Sequence, residues 1–381
     1  MKDETGTSSG TATLDVGVVA DETGLDALAD EWRALGARAC NGSVFLSWEW
    51  HRTWWDVFGG SGARLHVVTV RERGALIGLL PLYRHGAGPT ATLRLSGSGE
   101  ASADEVVTEY GDVLASAAHA VRVGDAVIGH LATFDGWRRV VLPCLLDDAL
   151  IVAACRRRTG LARLECSAGV RYRIRLDDGE AGYLERVGAS RARRIARARR
   201  ALERDGGLRV EPTVDAADLA VAFADLATLN DERQRALGRR GVFLAERFRR
   251  FHDVLGARLY SRDALDVVRF RLGSRLLAAL YCLDDASGRH YYQSGFVGEG
   301  ANRYLTLTIA HLAEMRRARD AGHRWYDLMR GHPPCYKDAF GCETTPMLDL
   351  ALYRTPPERE IALRWRGLRR AVRRGLTRLR S

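Results

Sequence analysis

Phe45-Leu46-Ser47-Trp48-Glu49-Trp50-His51-Arg52 returns in altered form 198 residues later as Phe243-Leu244-Ala245-Glu246-Arg247-Phe248-Arg249-Arg250. Phe, Leu and the final Arg coincide, and the sixth place is aromatic in both copies. At the same offset, Arg71-Glu72-Arg73 through Leu79, Leu82 and Tyr83 meets Arg269-Phe270-Arg271 through Leu277, Leu280 and Tyr281. Each of these second segments reads as a β-hairpin with its turn near Gly74 or Gly273. Two matches on one offset predict a tandem pair of related domains.

Hydrophobic periodicity around the first copy predicts a strand at 13–19 and helices at 24–38 and 48–58, the second N-capped by Ser47. Hairpin strands follow at 64–72 and 76–84, then a helix at 117–133, a strand at 137–142, a helix at 147–159 and strands near 162–176. The second half reads as an arginine-rich helix at 190–204, a strand at 208–214, and helices at 216–235 and 245–261. Strands at 265–272, 275–284 and 289–297, a helix at 304–321 and strands at 324–329 and 347–354 complete it. The expected class is α/β (α+β), each domain a mixed, mainly antiparallel sheet flanked by helices. The domains are expected at 13–178 and 179–356, after a disordered N-terminus at 1–12 and before a basic amphipathic helix at 357–381.

The 381 residues suffice for two cores, and 46% hydrophobic and 28% charged residues are ordinary for a globular protein. No apolar run reaches the ~18 residues of a membrane span, and Met1 to Gly10 lacks the apolar core of a signal peptide. A cytoplasmic protein is expected. Seven scattered cysteines without CxxC spacing fit free thiols better than disulfides or a zinc site, and no metal is assigned.

The net charge of +10 is concentrated in Ser190–Arg204 and in Arg359–Arg380. The first stretch could neutralise RNA phosphates or simply be a solvated helix beside a cleft, and the second reading is favoured. The last stretch, with Ile361, Trp365, Leu368, Val372, Leu376 and Leu379 spaced by threes and fours, suits peripheral contact with an anionic inner-membrane surface as well as docking on protein.

Only two of the 58 basic residues are lysines, Lys2 and Lys337. A chain that has exchanged nearly every lysine for arginine keeps one where a compact ammonium with a shiftable pKa is needed. Lys337 lies in Cys335-Tyr336-Lys337-Asp338-Ala339-Phe340-Gly341, downstream of Trp325-Tyr326-Asp327-Leu328-Met329-Arg330-Gly331. Asp327 and Arg330 read equally as site residues or as a structural ion pair. Upstream, Tyr291-Tyr292-Gln293-Ser294-Gly295-Phe296 runs into Gly298-Glu299-Gly300-Ala301-Asn302-Arg303 and then a helix. Such a strand–loop–helix can present free N–H groups and a positive dipole end to an anion such as a pyrophosphate, although spacing alone favours an ordinary βα turn. Trp48, Trp50, Trp54 and Trp55 read as core with a cleft rim, and Glu105, Glu109 and Asp112 as a solvated acidic loop able to receive an amine or sugar.

Taken together, FLSWEW (45–50), the arginine-rich helix, YYQSGF (291–296), YDLMRG (326–331) and YKDAFG (336–341) resemble the BioF2-like, cellulose-biosynthesis-type branch of the GNAT acetyltransferases. The resemblance covers roughly 13–355 and extends to Fem-type aminoacyltransferases, which also carry two GNAT-like domains and a lysine before a Phe-Gly pair. It implies tandem GNAT-like domains with the active cleft in the second. It also implies transfer of an acyl group, usually acetyl from acetyl-CoA, to an amine or hydroxyl of a polysaccharide-related or small-molecule acceptor. The catalytic residues expected are Lys337 (oxyanion stabilisation), Asp327 (acceptor orientation or proton removal) and Tyr292 (leaving-group protonation). Gly298, Gly300, Ala301, Asn302 and Arg303 are expected to bind the acyl-CoA, and Trp50, Asp112, Gln293, Arg330 and Tyr336 the acceptor. The loop only approximates the usual GNAT pyrophosphate signature. A Fem-type aminoacyl-tRNA-dependent ligase and a catalytically silent scaffold therefore stay open.

Overall fold

The computed structural model describes residues 13–60, 62–298 and 305–360. The expected N-terminal disorder at 1–12, most of the C-terminal basic helix, and Gly300, Ala301, Asn302 and Arg303 lie outside the described residues.

The first half runs β1 (Leu14–Val19), α1 (Glu22–Ala27), α2 (Ala29–Arg38), α3 (Trp48–Phe58), β2 (Ala63–Glu72), β3 (Ala75–His85), β4 (Thr92–Leu95), β5 (Leu114–Ala115), α4 (Ala120–Thr133), β6 (Arg139–Leu146), α5 (Leu150–Arg157) and β7 (Ala162–Arg175). The second runs α6 (Gly179–Arg186), α7 (Gly188–Arg204), β8 (Leu208–Glu211), α8 (Ala216–Ala236), α9 (Glu246–Tyr260), β9 (Leu265–Leu272), β10 (Arg275–Asp285), β11 (Gly288–Phe296), α10 (Thr306–Asp320), β12 (Trp325–Gly331) and β13 (Glu343–Tyr353). Ser47 caps α3 as its position suggests, its hydroxyl accepting from Trp50 N at 3.2 Å. The helix expected at 24–38 is two, α1 and α2, and β4 and α6 are too short or too polar to be read from pattern.

All the strands join one mixed, mainly antiparallel sheet of order β1-β2-β3-β4-β6-β13-β7-β12-β11-β10-β9-β8, with β5 on β3. From either end it presents five strands of one half in matching order, β1-β2-β3-β4-β6 against β8-β9-β10-β11-β12. The last strand of each half then crosses over: β13 pairs with β6 of the first half, and β7 with β12 of the second. β7 and β13 pair with each other over most of their length. The halves are thus tied by an exchange of terminal strands.

The repeat holds, with one correction. Turns of 3₁₀ helix at Val44–Leu46 and Val242–Leu244, and the starts of α3 and α9, keep the 198-residue offset. The hairpins do not: Glu72 faces Ala75 and Leu272 faces Arg275, an offset of 200. Arg71 and Arg271 occupy the same place, donating to Gly74 O (2.8 Å) and Ser274 O (3.3 Å). A two-residue shift leaves every strand side chain on its own face, so the sequences match almost as well out of register.

Helices α3, α8 and α9 cover the middle of one sheet face, burying Trp50, Phe223, Phe251 and Tyr281. On the other face α4 and α5 bury Val123, Val127 and Ile151 under the first half, while α7 and α10 bury Ile195, Ala198, Ile309 and Leu312 under the second. Between the halves, Trp50 meets Phe251 edge to face at 5.1 Å, and Arg258 of α9 donates to Thr53 Oγ1 and Asp56 of α3, both at 2.8 Å.

Because β13 fills the place between β6 and β7, residues 1–178 produced alone would present β6 with an unpaired, apolar edge. We expect 1–178 and 179–381 to be insoluble or unfolded separately and to form one soluble complex when co-expressed, as judged by size exclusion and circular dichroism. Independent cooperative unfolding of either fragment would contradict the exchange.

Candidate active site

Asp327 is fully buried on β12. One carboxylate oxygen accepts from Tyr110 OH (3.0 Å) and the Met329 backbone N–H (2.6 Å); the other accepts from Arg171 Nε (2.6 Å) and lies 3.4 Å from His290 Nδ1. Burial alone would push its pKa up, but Arg171 and His290 outweigh burial and hold it at about 2. His290 is bridged to Asp285 at 2.8 Å, and Asp285 in turn accepts from Val44 N at 2.9 Å. Burial would strip the imidazole of its proton, but the Asp285 and Asp327 carboxylates keep it charged up to about 10. Asp327 therefore anchors β12 to β7, to the loop before β5 and to β11. Both of its oxygens are engaged, which leaves no open lone pair for the acceptor-orienting or proton-removing part expected of it.

The backbone bends around this anchor. Met329 (φ 61°) sits in the left-handed region within the bulge between Asp327 and Met329 on β12. Tyr110 (φ 55°) and Val107 (φ 42°) share that region, which is costly for a β-branched residue. Beyond the bulge β12 leaves β11: their parallel ladder holds only the pairs Arg289–Tyr326 and His290–Asp327. Lys337, in a 3₁₀ turn at Tyr336–Phe340, reaches back to the parted strand and donates to Leu328 O at 2.6 Å and to Arg330 O. Burial lowers its pKa, with Glu109 and Asp327 partly holding it up. Two of three ammonium donors are thus used among the described residues.

The first half parts in the same way, β4 and β6 pairing at only three positions. There the chain closes its own gap: a Cβ on Gly111 would lie 2.3 Å from Leu95 Cδ2 of β4 and 3.5 Å from Pro143 O of β6. The filling loop is the acidic stretch read as solvated; Glu105 is exposed as expected, but the structure corrects that reading for Glu109 and Asp112. Glu109 is 2% exposed, its Oε1 facing Arg330 Nε at 3.3 Å and its Oε2 buried without a partner among the described residues. Burial pushes it up to about 7, with Arg330 and Lys337 pulling the other way.

Other expected residues fall elsewhere. Trp50 is fully buried, donating to Thr108 Oγ1 at 2.9 Å, so it is a wall between the halves and not a rim. Asp112 accepts from Leu150 N and Ile151 N, both at 2.9 Å, and so caps α5, with burial raising it to about 6 against those donors. Tyr292 donates to Val106 O of the filling loop and packs on Trp50 and His252. Gln293 accepts from Ser294 N at 2.9 Å, Tyr336 is exposed, and Gly298, just past β11, lies beside Arg233. Arg171, Tyr110, Glu109 and His290 were not picked as site residues from the sequence. Glu109 reads in sequence only as part of an acidic loop able to receive an amine or sugar, and for the others the repeat, which sets a filled parting of strands against a second one, is the signal available.

Residues 189–338 match the protein-family model described as an acetyltransferase (GNAT) domain. The chain carries a GNAT-like fold. Among solved structures with this GNAT-like fold, FemX superimposes with a TM-score of 0.58 at 13% identity, covering 84% of this chain and 95% of its own. The C-terminal domain of a putative lysylphosphatidylglycerol synthetase from Agrobacterium fabrum gives 0.53 at 12% identity, covering 89% and 95%. L-PGS from Bacillus licheniformis gives 0.51 at 9%, covering 87% and 93%. No curated protein matches the chain. Among the described residues no helix is long and apolar enough to cross a membrane.

Asp327→Asn leaves Arg171 buried without its paired carboxylate, while His290 keeps Asp285; a broken buried pair costs ~3–5 kcal/mol, and urea denaturation measures it. His290 contributes stability that is complete below the unfolded imidazole's pKa of ~6.5. That contribution is lost as pH rises through about 10. The thermal midpoint should therefore fall between pH 7 and 10, and fall less in His290→Gln.

Proposed function

We propose that this chain is an acyltransferase, acetyl-CoA-dependent in its simplest form, acting on an amine or hydroxyl of a polysaccharide-related or other small acceptor, in line with the BioF2-like resemblance. The observation that carries the reading is the parting of β11 and β12 with the chain's one described lysine planted on the freed edge. Parted parallel strands leave N–H and C=O groups that an extended, amide-bearing arm such as pantetheine can pair with, as an added strand would. The match of 189–338 to a GNAT domain supports placing the donor in this half. Gly298 and the loop through Arg303, leading to α10, are the proposed pyrophosphate cradle.

In this reading the acyl carbonyl lies beside Lys337, whose third N–H donates to the oxyanion as the acceptor nitrogen adds. Glu109, unpartnered at Oε2 and poised near pH 7, takes the proton from that nitrogen. The C–N bond forms, the C–S bond breaks and the thiolate departs to be protonated by water. Asp327 and Arg330 position these two groups, and Tyr292, held by Val106, keeps the filling loop in place rather than protonating the leaving group.

A second reading, an aminoacyl-tRNA-dependent ligase, is favoured by one feature: α7 turns Arg193, Arg194, Arg197 and Arg200 to solvent while Ile195, Ala198 and Leu202 pack inward. Binding of aminoacyl-tRNA with a steep salt dependence, lost when these arginines become glutamines, would select it.

Lys337→Arg keeps the charge but not the compact ammonium. We expect kcat for acetyl transfer to fall by ~10²–10³, the usual cost of a lost oxyanion donor, with little change in acetyl-CoA affinity. Glu109→Gln should remove the rise of kcat/KM through about pH 7. Undiminished turnover in the first variant, or an unchanged pH profile in the second, removes that residue from the mechanism.

A further inference from the structure

Away from the parted strands, a cleft of about 350 Å³ opens at the seam of the two halves, walled by Asn41, Ser43, Tyr110, Asp148, Arg171 and Arg173. Arg171 and Arg173 lie two residues apart on β7 and so project from the same sheet face. Their charges are not equally compensated. Arg171 is spent on Asp327 at 2.6 Å. Arg173 has no hydrogen bond or ion pair among the described residues; its guanidinium stacks on the Trp325 ring at 4.2 Å. Stacking holds a guanidinium without neutralising it, and leaves its in-plane N–H groups free to bond an acceptor. Burial, and then the neighbouring Arg171, lower the Arg173 pKa, with Asp327 and Glu343 holding it up only in part.

The rest of the lining narrows the ligand. Asn41 is already engaged with Asp112 and Val113 O, and the first N–H groups of α5 are taken by Asp112, so neither competes for an anion. Asp148, also in the lining, is exposed and has no ion pair among the described residues. The lining thus offers a planar cation and a carboxylate, neither of them in an ion pair among the described residues.

We propose that this cleft binds a small organic anion, its carboxylate or phosphate forked on Arg173, and that an amine on the same molecule is met by Asp148. The site stands independently of the acyl-transfer reading, and its occupant shares two wall residues, Tyr110 and Arg171, with the Asp327 anchor.

The test is isothermal titration calorimetry on the full chain in low-salt buffer at pH 7, with inorganic phosphate, acetate and L-glutamate as separate probes. One-to-one binding is expected for at least one probe, weakened at least tenfold in Arg173→Gln and less in Arg173→Lys, which keeps the charge. Asp148→Asn should weaken glutamate and spare phosphate and acetate, separating an amine-bearing ligand from a plain anion. Circular dichroism of each variant controls for folding, and the partly exposed position of Arg173 makes the wild-type spectrum the expected one. Absence of binding by all three probes, or binding unchanged in Arg173→Gln, overturns the proposal.

Discussion

A single buried negative charge, that of Asp327, organises the centre of this molecule. Taking a carboxylate out of water is affordable only when donors replace the hydration it loses. Here those donors come from three distant parts of the chain: Tyr110 before β5, Arg171 on β7, and His290 on β11, with the Met329 amide closing the set. Arg171 can reach Asp327 only because β7 has left its own half to pair with β12. The strand exchange and the buried charge are therefore one constraint: neither half can satisfy Asp327 alone.

The same charge shapes the region proposed for catalysis. Its acceptance of the Met329 amide fixes the bulge that turns β12 away from β11, and the carbonyls beyond the bulge find a donor in Lys337. In the first half the equivalent gap is occupied by residues 97–112, and that filling carries Glu109 and Tyr110 across to the second half. A duplicated fold has in this way one gap closed by its own loop and one where, among the described residues, the strands part, with the closed one lending its side chains to the other. The strain at Val107, Tyr110 and Met329 is concentrated where these elements meet.

Periodicity made most of the elements legible. The α3 N-cap, both hairpins, α7 to α10 and the central strands of the second half fall within a few residues of their expected places, because each is amphipathic or apolar over a full element. Lys337 stood out for the same local reason: its identity departs from everything around it. What could not be read was non-local. Nothing in Ala162–Arg175 says that it will pair with β12, and nothing in the Glu105–Asp112 stretch distinguishes a solvated acidic loop from one that plugs a sheet. Trp50 and Asp112 were credited to a ligand when other parts of the protein use them, one as a wall and the other as a helix cap. The hairpin register slipped by two residues because strand faces repeat every two.

Hydrogen exchange in the presence of acetyl-CoA tests the account most directly, since it reports which of the two gaps takes the donor without depending on knowledge of the acceptor. The account predicts added protection in β11 and the first turns of α10, with 92–95 and the start of α4 unchanged. Protection confined to the first half, or none from acetyl-CoA alongside clear protection by aminoacyl-tRNA, would contradict it.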